Sequence, residues 1–155
     1  MYIFYIFLSL LIIGVDYVTK ILAINHLKSI HTLPVINNIF HLTYCENTGG
    51  AFSLFSGKPY LLAAVSLVFI SIAATYVIIN KPKSHLLLLS LSMICAGGMG
   101  NVIDRIAKGY VVDFFDFRMI NFAIFNVADI FVCVGMALLI IYVLFFEGRE
   151  KNNDY

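Results

Sequence analysis

Two aspartates, Asp113 and Asp129, are the residues best suited to carry out chemistry in this sequence. They are sixteen positions apart, and the second lies within an apolar segment. Two carboxylates held close together cannot easily both ionise, so they share a proton and their pKa values separate. The ionised member can take a proton from water while the protonated member polarises a carbonyl. We expect such a pair to support peptide-bond hydrolysis without a metal or a nucleophilic Ser or Cys.

The composition indicates that these aspartates are embedded in a membrane. The 155-residue chain is 61% apolar and only 12% charged, about half the roughly 25% of a soluble domain. A soluble protein of this size would lack the polar surface to cover itself. The net charge of +1 argues against a nucleic-acid partner, which would require a strong basic excess.

Four apolar segments approach or reach the length of about 20 residues that spans a bilayer as a helix. They predict an all-α integral membrane protein, a single membrane-embedded domain over 1–155, with a polar tail at 147–155. The first segment lacks a small-x-small cleavage site, so we expect it to be a retained helix. The predicted spans are about 1–25, 60–79, 86–103 and 122–146.

Polar residues gather at the ends of these spans. An ionisable group in a membrane span costs several kcal/mol unless it is paired, and it is a candidate for a functional role. Because successive spans alternate in direction, the polar ends and the loops after spans one and three lie on the same side. The residues that we expect to converge there with the two aspartates are Asp16, Lys20, Asn47, Asn101, Asp104, Arg105 and Asn126.

Spacing suggests some of the partners. Asp16 and Lys20 are four positions apart, so they share one helix face and can form a structural ion pair. We expect Asp104 to pair locally with its neighbour Arg105, and Asp116 to be a solvated residue at the membrane interface. Gly97 and Gly100 leave a smooth helix surface that permits close packing.

Other kinds of site find no support. Cys45, Cys95 and Cys133 are far apart and contain no CxxC, so neither a disulfide framework nor a zinc site is predicted. The four histidines lie in loops or at span borders without metal-ligand spacing. We therefore expect no cofactor and no metal.

Five polar motifs follow one another along the chain: Asp16-x-x-Thr19-Lys20, Asn47-Thr48-Gly49-Gly50-Ala51-Phe52, Gly97-x-x-Gly100-Asn101-x-x-Asp104-Arg105, Val112-Asp113-Phe114 and Phe125-Asn126-Val127-Ala128-Asp129. In these motifs and in their order, the sequence resembles lipoprotein signal peptidase, also called signal peptidase II. The resemblance runs from Asp16 to Gly135. Gly50, Ala96 and Ala123 depart from the residues common in that family, which bears on substrate preference more than on chemistry.

The resemblance implies an aspartic endopeptidase that removes the signal peptide from diacylglyceryl-modified prolipoproteins, N-terminal to the lipidated Cys. Its catalytic pair would be Asp113 and Asp129. It also implies a small extracytoplasmic β-like cradle in the first loop, and a bacterial inner-membrane location with both termini cytoplasmic and the site toward the outer face. The expected partners are lipid-modified prolipoproteins and membrane lipid, with the chain acting as a monomer. The site-supporting residues would be Asp16, Lys20, Asn47, Gly49, Asn101, Arg105 and Asn126.

Two other functions remain compatible with the residues taken alone. In a small proton-coupled transporter or channel, Asp16, Asp104 and Asp129 would form a relay, although the polar groups crowd one side and span two carries no charge. A structural or assembly subunit would have no need for aligned Asp and Asn residues at span ends. Lysines and arginines divide equally between the two sides, so charge alone does not set the orientation.

Overall fold

Four long apolar helices and a small antiparallel sheet make up the fold in this computed structural model, which describes residues 1–50 and 54–146. Each helix is long and apolar enough to cross a membrane, which confirms the predicted all-α membrane class. The chain is therefore a multi-pass membrane protein. The helices are α1 (Tyr2–Leu27), α2 (Pro59–Asn80), α3 (His85–Lys108) and α4 (Val127–Phe145).

The sheet has the strand order β1-β2-β3, with β1 at Thr32–Ile36, β2 at Phe40–Asn47 and β3 at Val111–Phe117. The predicted cradle was placed in the first loop, but only β1 and β2 come from there. The third strand comes from the loop between α3 and α4, and it pairs with β2 so that Asp113 lies opposite Cys45. This pairing joins the two loops on one side of the bundle and fixes Asp113 in a strand.

Two helix boundaries differ from the prediction. The third helix continues to Lys108, where Gly109 ends it with a φ of +80°, a conformation that suits glycine. The fourth begins at Val127, because Asn126 caps it in an extended conformation. The preceding Phe122–Phe125 was predicted to be helical from its hydropathy, but Phe125 instead bridges to Phe115 of β3.

Glycines bring α3 against its neighbours, as the sequence predicts. A Cβ at Gly97 would clash with the backbone oxygen of Ala128 on α4. A Cβ at Gly100 would lie 2.6 Å from Oδ2 of Asp16 on α1. These two approaches place α1, α3 and the start of α4 close enough for short side chains to hydrogen-bond between them.

Candidate active site

The first turn of α4 positions one of the two aspartates. Asn126 and Asp129 form a reciprocal cap: the Asp129 backbone N–H donates to Asn126 Oδ1 at 3.0 Å, and the Asn126 backbone N–H donates to Asp129 Oδ2 at 3.0 Å. This arrangement satisfies two backbone donors that a helix start leaves unpaired. It therefore fixes the Asp129 carboxylate at the positive end of α4.

Asparagine amides link Asp129 to Asp113. Asn126 Nδ2 donates to Asp113 Oδ1 at 2.6 Å, so one side chain contacts both aspartates. Asn47 Nδ2 donates to the other oxygen of Asp113 at 2.9 Å, and Asn101 Nδ2 donates to Asp129 Oδ1 at 2.8 Å. The structure thus brings the two predicted aspartates to one site, together with the three predicted asparagines.

Lys20 sets the direction of this hydrogen-bond network. Its ammonium donates to Asn101 Oδ1 at 2.8 Å. An ammonium has only donors, so the Asn101 oxygen must face Lys20 and its amide nitrogen must face Asp129. Asn126 Nδ2 donates to the same oxygen at 3.1 Å. Lys20 is 1% exposed, so it acts from within the protein.

Lys20 also belongs to a buried ion cluster that adjoins this hydrogen-bond network. Lys20 pairs with Asp16 at 2.8 Å, as predicted, and with Asp104 at 3.2 Å. Asp16 Oδ1 also accepts the backbone N–H of Ala128 at 2.9 Å, which ties α1 to the start of α4. The predicted pairing of Asp104 with Arg105 is wrong, since Asp104 binds Lys20 and Lys108. Neighbouring residues on a helix point in different directions, so Arg105 faces away.

Arg105 instead holds the first loop. Its Nη2 donates to the backbone oxygen of Gly49 at 2.9 Å, while its Nε is buried without a partner among the described residues. The Gly49 backbone N–H donates to Asn47 Oδ1 at 2.9 Å. That bond directs Asn47 Nδ2 toward Asp113. The rest of the predicted motif, Ala51 and Phe52, lies outside the described residues.

A cavity of about 490 Å³ opens onto both aspartates. Its polar lining consists of Asn47, Asn101 and Arg105 along with the two aspartates. The apolar residues of its lining were not predicted from the sequence. Hydropathy did not distinguish these apolar side chains from those that face lipid. The apolar lining residues include Val111, Phe122, Ile124, Phe125, Ile130, Val132 and Val134.

Asp113 is 2% exposed, and this burial is the main cause that raises its pKa from 3.8 to about 7. The nearby charge of Asp129 raises the pKa further, while the hydrogen bonds from Asn47 and Asn126 oppose the shift. A carboxyl with this pKa can hold a proton near neutral pH and release it reversibly. That Asp113 and Asp129 share one proton stays a prediction, since burial is a larger cause of this shift than the charge of Asp129.

The prediction that Asp116 is a solvated residue at the membrane interface is also wrong. Asp116 is 7% exposed and not solvated, because the pairing of β2 with β3 buries it. Burial tends to raise its pKa, but hydrogen bonds from Thr43 and Arg118 outweigh burial and leave the pKa below its usual value. It lies on the sheet outside the cavity lining.

The fold and site define a class: a multi-pass membrane protein with two carboxylates that line one cavity at one end of its helices. A family model described as signal peptidase (SPase) II matches residues 8–145. The chain therefore belongs to the signal peptidase II family, and it is a membrane-embedded peptidase.

Similar proteins agree with this assignment. A lipoprotein signal peptidase of Clostridioides difficile (strain 630) is 44% identical over 148 residues, covering 95% of this chain and 99% of the relative. One from Clostridium acetobutylicum is 41% identical, covering 89% and 92%. A solved structure described as a bacterial membrane enzyme has a TM-score of 0.82 at 29% identity, covering 90% of this chain and 87% of the other. A second has a TM-score of 0.81 at 28% identity.

Proposed function

We propose that this membrane peptidase removes the signal peptide from lipoprotein precursors, cutting N-terminal to a diacylglyceryl-modified cysteine, and that Asp113 and Asp129 are its catalytic pair. The observation that carries the proposal is Asn126, which donates to both carboxylates, through its side-chain amide to Asp113 and through its backbone N–H to Asp129, while both aspartates line one cavity. The names of the relatives supply the substrate class. The carboxylates supply the reaction type.

The two aspartates have different roles in this proposal. Asp129 is the base, because both of its oxygens accept N–H donors and the N-terminus of α4 favours a negative charge. Asp113 is the acid, because its pKa of about 7 lets it carry the shared proton. Lys20 contributes by fixing the orientation of Asn101, which in turn holds Asp129 as an acceptor.

Hydrolysis then follows from these roles. A water between the carboxylates loses a proton to Asp129 and attacks the scissile carbonyl carbon. Asp113 gives its proton to the carbonyl oxygen, which stabilises the tetrahedral intermediate. When the intermediate collapses, the proton held by Asp129 passes to the leaving amine, and Asp113 recovers its proton from the hydroxyl of the intermediate. No covalent enzyme intermediate is needed.

The cavity suits a substrate that arrives from the side. Its apolar residues on α4, such as Ile130 and Val134, are exposed side chains of a helix that is apolar enough to cross a membrane. Acyl chains of the precursor can remain in lipid while the extended peptide enters the polar end. There Asn47, held through Gly49 by Arg105, lies beside Asp113 and is placed to contact the peptide backbone.

The same proposal places the protein in a bacterial inner membrane, with both termini cytoplasmic and the aspartates toward the outer face, working as a monomer. A lipoprotein precursor carries its modified cysteine at that face once the signal peptide has inserted. The transporter alternative gains no support. The relay would join Asp16 and Asp104 to Asp129, but the structure places those two in an ion cluster with Lys20.

A cleavage assay tests the proposal. The purified protein in lipid nanodiscs is given a precursor peptide with or without the diacylglyceryl group, and the products are identified by mass spectrometry. We expect a single cut before the modified cysteine and no cut in the unmodified peptide. Asp129→Asn should abolish cleavage, whereas Asp116→Asn, a matched loss of a buried carboxylate outside the cavity, should retain it. Full turnover by Asp129→Asn would refute the catalytic assignment.

A further inference from the structure

The cavity remote from the aspartates is larger than the one that contains them. It has a volume of about 580 Å³, and its walls come from α1, α2 and α3. The lining is mostly apolar, with residues such as Leu10, Val77 and Leu88. Among the residues of α2 only Ala63 is buried, so this flank of the helix is open to the surrounding bilayer.

Two lysines mark the rim of this cavity. Lys81 ends α2 and lines the cavity, and Lys83 follows in the same short loop. Both are exposed, and neither forms an ion pair within residues 1–50 and 54–146. The carboxylates of those residues all lie toward the other end of the bundle or in the sheet: Asp16, Glu46, Asp104, Asp113, Asp116 and Asp129.

Hydrogen bonds hold the rim in place against α1. The Tyr2 hydroxyl donates to the backbone oxygen of Pro82 at 3.0 Å. The Tyr5 hydroxyl bonds to Nδ1 of His85 at 2.9 Å. The loop that carries the lysines is thus fixed above the apolar cavity, so the charges and the cavity form one preorganised surface.

We propose that this surface binds an anionic phospholipid, with one acyl chain in the cavity and the headgroup phosphate at Lys81 and Lys83. An acyl chain fits the apolar lining because it has no hydrogen-bonding groups to satisfy, whereas an extended peptide segment would leave its backbone unpaired. Basic residues above a pocket between membrane helices attract anionic headgroups. The site is separate from the peptidase centre.

Lipid-dependent thermal stability tests this site without any cleavage assay. The full chain is purified in phosphatidylcholine nanodiscs, and phosphatidylglycerol then replaces part of the lipid. We expect phosphatidylglycerol to raise the Tm by about 2–4 °C. Native mass spectrometry should show phosphatidylglycerol retained about tenfold more readily than phosphatidylcholine.

Matched variants distinguish the contribution of the lysines, which would bind the headgroup, from that of the cavity, which would bind the acyl chain. The pair Lys81→Gln and Lys83→Gln should lose the Tm rise, while Lys58→Gln, an exposed lysine at the opposite end of α2, should keep it. Ala74→Phe should fill the cavity and lose lipid retention with the lysines intact. The lysine variants lie on the surface, so they remain informative if Ala74→Phe does not fold.

Several results would overturn the proposal. Equal effects of the two lipids, an unchanged response in the double lysine variant, or the same Tm rise with inorganic phosphate alone would each do so. The tail at 147–155 carries acidic residues. A Tm rise with phosphatidylglycerol that is absent in the full chain and appears only after this tail is removed would also overturn the proposal. In that case the tail, not a lipid, would be bound to Lys81 and Lys83 in the full chain.

Discussion

Two groups of carboxylates in the structure differ in their hydrogen-bond and ion-pair partners. Asp16 and Asp104 are both paired with Lys20, which neutralises part of their charge. Asp113 and Asp129 accept hydrogen bonds only from asparagine amides and a backbone N–H among the described residues. Asp16 and Asp104 are thus held in ion pairs, whereas the hydrogen-bond donors to Asp113 and Asp129 are neutral, and the pKa of the buried Asp113 is raised to about 7.

The largest expected effect comes from removing Lys20, the cation that Asp16 and Asp104 share. In Lys20→Met, two carboxylates remain buried without their shared cation, and we expect a loss of about 3–5 kcal/mol in the free energy of unfolding. Asp113→Asn should cost far less, because an amide replaces a carboxyl that burial already disfavours in its charged form. Thermal or denaturant unfolding in matched nanodiscs measures both, and equal losses would remove the distinction between the groups.

A packing substitution tests how the first group is assembled. Gly100→Ala would place a Cβ 2.6 Å from Asp16 Oδ2, so we expect about 1–3 kcal/mol of destabilisation from overpacking. The control is Gly98→Ala on the same helix, where the nearest atom is the flexible Ile70 Cδ1 at 3.4 Å. Both changes favour helix formation equally. If Gly98→Ala were the more damaging, the close approach of α1 and α3 would be in question.

Asp113, a member of the second group, should make the free energy of unfolding depend on pH. Because the folded-state pKa of Asp113 is raised from 3.8 to about 7, its favourable contribution is complete below pH 3.8 and is lost as the pH rises through about 7. The free energy of unfolding of the wild type relative to Asp113→Asn should therefore decline between these pH values and level off above them. A flat difference across this range would contradict the buried, proton-holding Asp113.

The smallest expected effect is a shift in the pH at which kcat/KM falls on the alkaline side of its pH profile, which is called the alkaline limb. If protonated Asp113 is the acid, kcat/KM should fall above about pH 7. Asn47 lowers the pKa of Asp113 through its hydrogen bond, so Asn47→Ala should move this limb upward by about 0.5–1 pH unit. Thr48→Ala, a change at the next residue, serves as the control. A downward movement in Asn47→Ala would be incompatible with this role.

Much of this arrangement was predictable because polar residues in apolar segments are rare. Four spans, the pairing of Asp16 with Lys20 and the gathering of polar groups at one end all followed from spacing and hydropathy. The pairing of Asp113 with Asp129 was predicted from the chemistry of paired carboxylates and from the resemblance, since hydropathy alone does not show which loops meet.

The remaining features depend on contacts between distant parts of the chain. Strand β3 pairs with β2 across α2 and α3, so its sequence alone did not reveal that it would bury Asp116. Asp104 found Lys20 on another helix, which local spacing could not indicate. The segment Phe122–Phe125 has the hydropathy of a membrane helix, but Phe125 pairs with Phe115 of β3 and the helix begins only at Val127.

The most direct test of the account is a double-mutant cycle on Asp113 and Asp129. Cleavage of the lipid-modified precursor is measured for Asp113→Asn, Asp129→Asn and the double variant, each shown to be folded at the assay temperature. If the aspartates work as one unit on one water, each single change should lower the rate by about 10³-fold or more, and the double change should lower it no further. Single variants with near-normal turnover, or losses that multiply in the double variant, would contradict the central claim.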